Sequence, residues 1–245
     1  MSRSSSPKAE DSEPVDFSLY TGERSGEPGP EEALNVRAYR VLREALLSGA
    51  FAPGTHLNIR PIAAEIGMSS MPVREALARL RSDGALETLP NRAFRVPVLK
   101  VETFRDILLA RIRLESLACE RAATRADHLD IRRIADLHDA MSADEGGTPD
   151  VYLALHRRFH FAIYAIAGMP VLNELIEGLW LRIGPLIAQS RRDRVAVDRN
   201  HHRAIVAALR ASDPLGIAAA LRDDIADGLE PVCRYLAARQ PGAPG

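Results

Sequence analysis

The sequence predicts a mostly α-helical protein with two folded parts: three helices with a two-stranded hairpin, followed by an antiparallel all-α bundle of six helices. Apolar residues recur at spacings of three and four over most of residues 33–238, which is typical of helices. The period changes to two only in residues 86–98. The formal net charge also differs between segments: it is −5 over residues 1–32, +5 over 33–100 and −1 over 101–245. The formal net charge of −1 therefore conceals a basic module.

The two ends of the chain have compositions unlike the rest. Residues 1–32 are rich in Ser, Pro, Glu and Gly without apolar periodicity, so we expect a disordered acidic tail, and residues 239–245 are expected to be a flexible tail. Two cysteines, Cys119 and Cys233, cannot form a disulfide framework or a CxxC knuckle, which favours a cytoplasmic location. Apolar runs are far too short for a membrane span, so no membrane partner is expected.

The elements of residues 33–99 follow one another in a characteristic order. We predict helices over 33–49, 61–66 and 69–83, then strands over 86–89 and 94–98. Proline and glycine residues separate the helices, at Pro53-Gly54, Gly67 and Gly84. Three helices followed by a two-stranded wing form a winged helix-turn-helix.

The third predicted helix begins with side chains suited to DNA. Arg74 lies near its N-terminal end, where a guanidinium can bind a guanine edge through two hydrogen bonds, and Arg79 follows on the same helix. The hydroxyls of Ser69 and Ser70 suit phosphate contacts, and one of these residues is expected to cap the helix. Further candidates are Met71, for a thymine methyl group, and the wing-tip residues Asn91 and Arg92 for the minor groove. For any single arginine, the alternative is a solvated helix face.

This segment resembles the DNA-binding domain of the GntR family of bacterial regulators. The resemblance rests on Pro72-Val73-Arg74-Glu75-Ala76-Leu77, together with Gly49, Pro53-Gly54, Leu57, Ala63, Gly67, Ser69, Leu80, Gly84 and Asn91-Arg92. It implies that Arg60 and Arg74 contact double-stranded DNA. Ser70, Met71 and Ala93 replace residues that are often Arg, Thr and Gly in the family, so we expect an operator sequence different from those of relatives.

The second part of the chain contains a candidate metal site. His156 and His160 are four residues apart on one predicted helix, so they share a face, while His202 and Asp224 lie on later helices. Three imidazoles and one carboxylate suit a divalent transition metal such as zinc or nickel. Two alternatives remain: the histidine pair forms a half-exposed helix face, or His201 replaces His202 as a ligand.

Residues 101–238 are similar to the FCD ligand-binding domain of the FadR subgroup of GntR regulators, in its shorter six-helix variant. The matching segments are Arg111–Glu115, Phe159-His160, Ala167-Gly168 and His202–Ile205, with Asp213 following. Many members place an acid or amide at the position of His156 and a histidine at that of Asp224, so the ligand types are exchanged here.

The resemblance also implies how the protein is controlled. It predicts a homodimer that binds a near-palindromic operator, usually as a repressor, and that responds to a small organic-acid effector. Arg111 is a candidate partner for the effector carboxylate, because a guanidinium matches a carboxylate in a bidentate fork. Its alternative role is a salt bridge with Glu115, one helical turn away.

Two other classes of protein compete with a regulator. A metal-dependent hydrolase could use the His/Asp site to activate water. However, the sequence has no GxSxG, HExxH or P-loop motif, and we assign no catalytic residue and predict no enzyme activity. A helical dimerisation protein with an inert site is the third class. A basic DNA-reading module argues against both.

Overall fold

The computed structural model describes residues 15, 17, 33–90, 93–143, 149–193 and 201–239. Over these residues the chain forms nine helices and one small antiparallel sheet. The predicted fold class is therefore confirmed: a winged helix-turn-helix is followed by a six-helix domain. Among the described helices, none combines the length and hydropathy required to cross a membrane.

The N-terminal unit contains three helices whose apolar faces meet. They are α1 (Leu34–Leu47), α2 (Ile59–Glu65) and α3 (Ser70–Ser82), close to the predicted positions. Leu42 and Leu46 of α1 and Leu77 and Leu80 of α3 are fully buried, because their spacing places them on the facing sides of two packed helices.

The wing contains one strand more than the sequence predicted. Strands β1 (His56–Leu57), β2 (Glu87–Thr88) and β3 (Phe94–Arg95) form a sheet in the order β1-β3-β2. His56 and Glu87 both face Arg95 across the sheet, and the Nε of Arg95 donates to the Glu87 carboxylate at 2.7 Å. The prediction of a two-stranded wing was incomplete because a two-residue strand shows no alternation. The predicted wing-tip contacts, Asn91 and Arg92, lie outside the described residues.

The second unit contains the six predicted helices. They are α4 (Val101–Ala123), α5 (His128–Ala143), α6 (Pro149–Ile166), α7 (Pro170–Arg192), α8 (His201–Arg210) and α9 (Pro214–Arg239). Helix α4 packs along α9 and also contacts α6 and α7. Large side chains of four helices, including Phe104, Phe159, Tyr164, Ile176 and Leu221, are fully buried between them.

Two residues of the predicted acidic tail belong to the described part of the chain. Phe17 is 2% exposed, and its ring centroid lies 5.9 Å from that of Phe51. Val15 also packs against the core. The chain is thus attached to the N-terminal unit at this point, whereas the rest of the predicted tail and residues 240–245 lie outside the described residues.

The two units are joined by a close contact between the end of α1 and the C-terminal part of α7. Gly49 has a φ of +75° and leaves no room for a Cβ atom against Ala188. Its carbonyl oxygen accepts a hydrogen bond from Nη2 of Arg192 at 2.8 Å. Arg157 of α6 binds the Glu44 carboxylate on α1, with one N–O distance of 3.3 Å. The end of α1 is therefore attached to both α6 and α7 of the helical body.

Candidate functional site

The N-terminal end of α3 presents an exposed surface with side chains that the sequence predicts to contact DNA. Ser69 occupies the N-cap position with extended backbone, but its hydroxyl makes no capping hydrogen bond, so the cap prediction holds for position and not for the bond. Ser69, Ser70, Arg74 and Met71, the last 63% exposed, all face solvent. These side chains can contact a partner, whereas the opposite face of α3 is buried in the N-terminal unit.

Arg60 and Arg79, which are also predicted to contact DNA, are placed differently from each other. Arg60 is exposed on α2. Arg79 is also exposed, but its Cζ atom lies 3.9 Å from the centroid of the Tyr39 ring. The Tyr39 hydroxyl donates to Asp83 at 2.7 Å, so Arg79, Tyr39 and Asp83 join α3 to α1.

Four predicted metal ligands meet in the helical body. His156 and His160 come from α6, His202 from α8 and Asp224 from α9. One donor atom from each lies within 4.8 Å of all the others. The Nε2 atoms of His156 and His160 are 3.2 Å apart, and Asp224 oxygens lie 3.4 Å from Nε2 of His160 and 3.1 Å from Nε2 of His202. His201 instead pairs with Asp227 at 3.0 Å, outside the cluster.

Burial sets the protonation of this cluster. Burial and then the neighbouring histidines lower the pKa of His156 well below its usual value. The pKa of His160 is also lowered well below normal, by burial and then by His202 and Arg111. Neutral imidazoles offer a lone pair to a metal ion. Burial raises the pKa of Asp224 to about 7, against the opposing charge of Arg111.

A buried carboxylate behind the cluster fixes the orientation of His160. Glu115, at 0% exposure, accepts hydrogen bonds from the Tyr164 hydroxyl at 2.5 Å and from Trp180 Nε1 at 2.9 Å. Since the hydroxyl proton points to Glu115, the Tyr164 oxygen can accept from Nδ1 of His160, 3.3 Å away. The lone pair of His160 is then on Nε2, the atom that faces the cluster.

Arg111 makes the salt bridge that the sequence offered as its alternative role. Its Nε and Nη2 atoms donate to the two oxygens of Glu115 at 2.6 and 3.2 Å. Arg111 also lines the cavity next to the cluster. Its predicted contact with an effector carboxylate therefore stays a prediction, with the guanidinium already oriented by Glu115.

The donor set fits a transition metal ion. Metal–ligand bonds of about 2.1 Å place neighbouring ligand atoms about 3.0–3.4 Å apart in octahedral or tetrahedral arrangements. Three of the separations, His156–His160, His160–Asp224 and His202–Asp224, lie within 3.1–3.4 Å, and all four donor atoms lie within 4.8 Å of one another. Neutral imidazoles and one carboxylate also have the chemical character that zinc and nickel prefer.

A small cavity of about 50 Å³ opens beside the donor cluster. Three arginines, Arg111, Arg157 and Arg191, line it together with His156, His202 and Asp224. Apolar side chains form the rest of its wall, among them Leu47, Tyr152, Leu153, Ile187, Ile225 and Leu229. A cavity lined by arginine side chains together with apolar side chains suits an organic anion.

Several residues of this site were not predicted from the sequence. Tyr164 follows His160 by four residues, so the helical spacing already placed it on the same face. Trp180, Arg157 and Arg191 carry no comparable signal, because their positions depend on how separate helices pack. Leu47 belongs to the predicted helix over 33–49 of the N-terminal unit, so its position at this cavity could not be expected from the sequence.

Comparisons with known proteins identify the family to which this chain belongs. Residues 34–96 match the sequence model for bacterial regulatory proteins of the gntR family, and residues 106–227 match that for the FCD domain. The HTH-type transcriptional regulator McbR of Escherichia coli (strain K12) is 33% identical over 189 residues, which cover 75% of this chain and 86% of McbR. The chain belongs to the GntR family of regulators and carries an FCD domain.

Two further comparisons, one of them with the structure of McbR itself, are consistent with this membership. The structure of E. coli McbR/YncC superposes with a TM-score of 0.77 and 30% identity, covering 84% of this chain and 99% of that one. A Paenarthrobacter nicotinovorans protein described as a "Probable D-xylose utilization operon transcriptional repressor" is 30% identical, covering 74% of this chain and 80% of that protein. This chain is a transcriptional regulator of the GntR/FCD type.

Proposed function

We propose that this chain is a homodimeric repressor that binds a near-palindromic operator and is controlled by a small organic acid, with a divalent metal ion in the helical domain. The observation that carries the proposal is the presence of an exposed α3 and a metal-suited donor cluster beside a basic cavity in one chain. The exposed end of α3 supports DNA binding, and the donor cluster with its cavity supports ligand control.

The DNA-binding part of the proposal rests on α3. Its exposed N-terminal end presents Arg74 to base edges and Ser69 and Ser70 to phosphates. Arg60 of α2 adds a second exposed guanidinium. One such unit reads only a half-site, so a two-fold dimer would read two half-sites in inverted orientation.

The ligand-binding part rests on the chemistry around the cavity. His156, His160, His202 and Asp224 would hold the metal ion, which when bound supplies a Lewis-acidic contact for a carboxylate oxygen. Arg191 and Arg157 add positive charge to the cavity wall. The apolar side chains of the cavity wall would contact the carbon skeleton of the acid.

A panel of small organic acids, tested by thermal shift on the metal-loaded protein, checks the ligand class. An acid present at about 100 times its dissociation constant stabilises a folded protein by about 2.7 kcal/mol, so we expect a rise in Tm on the order of 5–10 °C. Alcohols of the same carbon skeleton are the matched controls and should give no shift.

Two results would contradict the proposal, one from this panel of organic acids and one from a test of enzyme activity. Equal shifts with acids and alcohols would show that the cavity does not recognise a carboxylate. Turnover of an ester, phosphate or amide panel by the metal-loaded protein, lost with the cluster histidines, would instead favour the metal-dependent hydrolase.

A further inference from the structure

One wall of the cavity comes from the DNA-binding unit. Leu47, the last residue of α1, lines the cavity and is 7% exposed. The other lining residues belong to the helical body, and α1 packs closely against one of them, Gly184 of α7. An occupant of the cavity would therefore touch both units at once.

The contact between Leu47 and Gly184 brings two backbones together. A Cβ atom on Gly184 would lie 3.1 Å from the carbonyl oxygen of Leu46 and 3.2 Å from that of Leu47. It would also lie 3.3 Å from the Cα atom of Leu47. Because no side chain separates the helices here, a displacement of Leu47 must move the α1 backbone itself.

The same end of α1 has two polar attachments to residues at or next to the cavity. Arg157 lines the cavity and binds the Glu44 carboxylate on α1. Arg192, adjacent to the cavity residue Arg191, donates to the carbonyl oxygen of Gly49. These contacts make the position of α1 sensitive to the cavity walls.

Helix α1 is in turn coupled to the DNA-contacting helix. Tyr39 of α1 donates to Asp83 at 2.7 Å and stacks under Arg79 of α3. The buried faces of α1 and α3 also pack directly together. A shift of α1 would consequently move α3 and the exposed Arg74.

The small size of the cavity favours such a shift when an organic acid binds. A volume of about 50 Å³ holds only a few water molecules. A larger ligand that enters the cavity presses on its walls, and contacts between two units yield more readily than a packed helical core. We propose that the cavity occupant displaces Leu47 from Gly184, so that α1 transmits ligand binding directly to α3. This inference rests on the proposed function for both the cavity and α3.

A methyl group at Gly184 tests this route without any ligand. Gly184→Ala places a Cβ atom against the backbone of α1 and so imitates the pressure of an occupant. Gly178→Ala is the matched control, since it changes a glycine of the same helix whose Cβ would meet nothing within 4 Å. Affinity for the DNA upstream of the protein's own gene is measured by fluorescence anisotropy for the full chain and both variants.

We expect Gly184→Ala to weaken DNA binding at least fivefold, the lower end of typical allosteric couplings, and Gly178→Ala to change it less than twofold. A folded Gly184→Ala protein with the affinity of Gly178→Ala would overturn the proposal. If circular dichroism shows that Gly184→Ala does not fold, Leu47→Phe decides by the same criterion, because its larger side chain occupies the α1 wall of the cavity, where an occupant would press. The unmodified chain is titrated first, so a failure of DNA binding itself is seen before any variant is compared.

Discussion

Arg74→Ala is expected to abolish specific binding to the DNA upstream of this protein's own gene. A bidentate arginine–guanine contact contributes about 1–3 kcal/mol of discrimination, and a dimer makes it in both half-sites. The expected loss of specific affinity is therefore on the order of 30-fold or more. Arg74 is exposed at the N-terminal end of α3, so its removal does not disturb the core. A gel-shift titration measures the effect.

Arg132→Ala is the matched control for this experiment. Arg132 is an exposed arginine on α5 of the helical body, so its loss removes the same charge away from α3. We expect its DNA affinity to stay close to that of the unmodified chain. Retained specific affinity in Arg74→Ala would show that α3 does not read the operator.

Combined replacement of His160 and His202 by alanine is expected to eliminate the bound metal. The purified, metal-loaded chain should contain about one equivalent of zinc or nickel, held by four side chains of three helices. Removing two of the four ligands leaves His156 and Asp224, which cannot fix a transition ion against solvent competition. Metal content by mass spectrometry after gel filtration is the measurement.

His201→Ala is the matched control for the metal site. His201 precedes His202 on α8 but pairs with Asp227 at 3.0 Å, so it should retain the full metal content. Metal content unchanged by the loss of His160 and His202 would place the ion elsewhere in the protein. Loss of metal in His201→Ala would instead show that the cluster differs from the one described.

Local sequence signals were sufficient for most of the fold. Helical spacing, with glycine and proline at the ends, located all three helices of the N-terminal unit, and Ser69, Ser70, Met71 and Arg74 lie on the exposed side of α3. The spacing of His156 and His160 likewise placed two ligands on one helix face. These features depend on residues close together in the chain.

Features that depend on long-range packing were not predictable in the same way. Strand β1 exists only because β3 pairs with it, since His56–Leu57 has no pattern of its own. The further hydrogen bonds that Tyr164 and Trp180 donate to Glu115, the partner of Arg111, depend on how separate helices pack. Similarly, Leu47 became a cavity residue only through the docking of α1 on α7.

The central claim is that the occupancy of one cavity controls DNA binding by α3. It is tested most directly by measuring affinity for the upstream DNA with the metal-loaded chain, before and after saturation with the acid that gives the largest thermal shift. A repressor released by its ligand should lose at least fivefold in affinity, and the matched alcohol should have no effect. Unchanged DNA affinity at an acid concentration that fully stabilises the protein would contradict the claim.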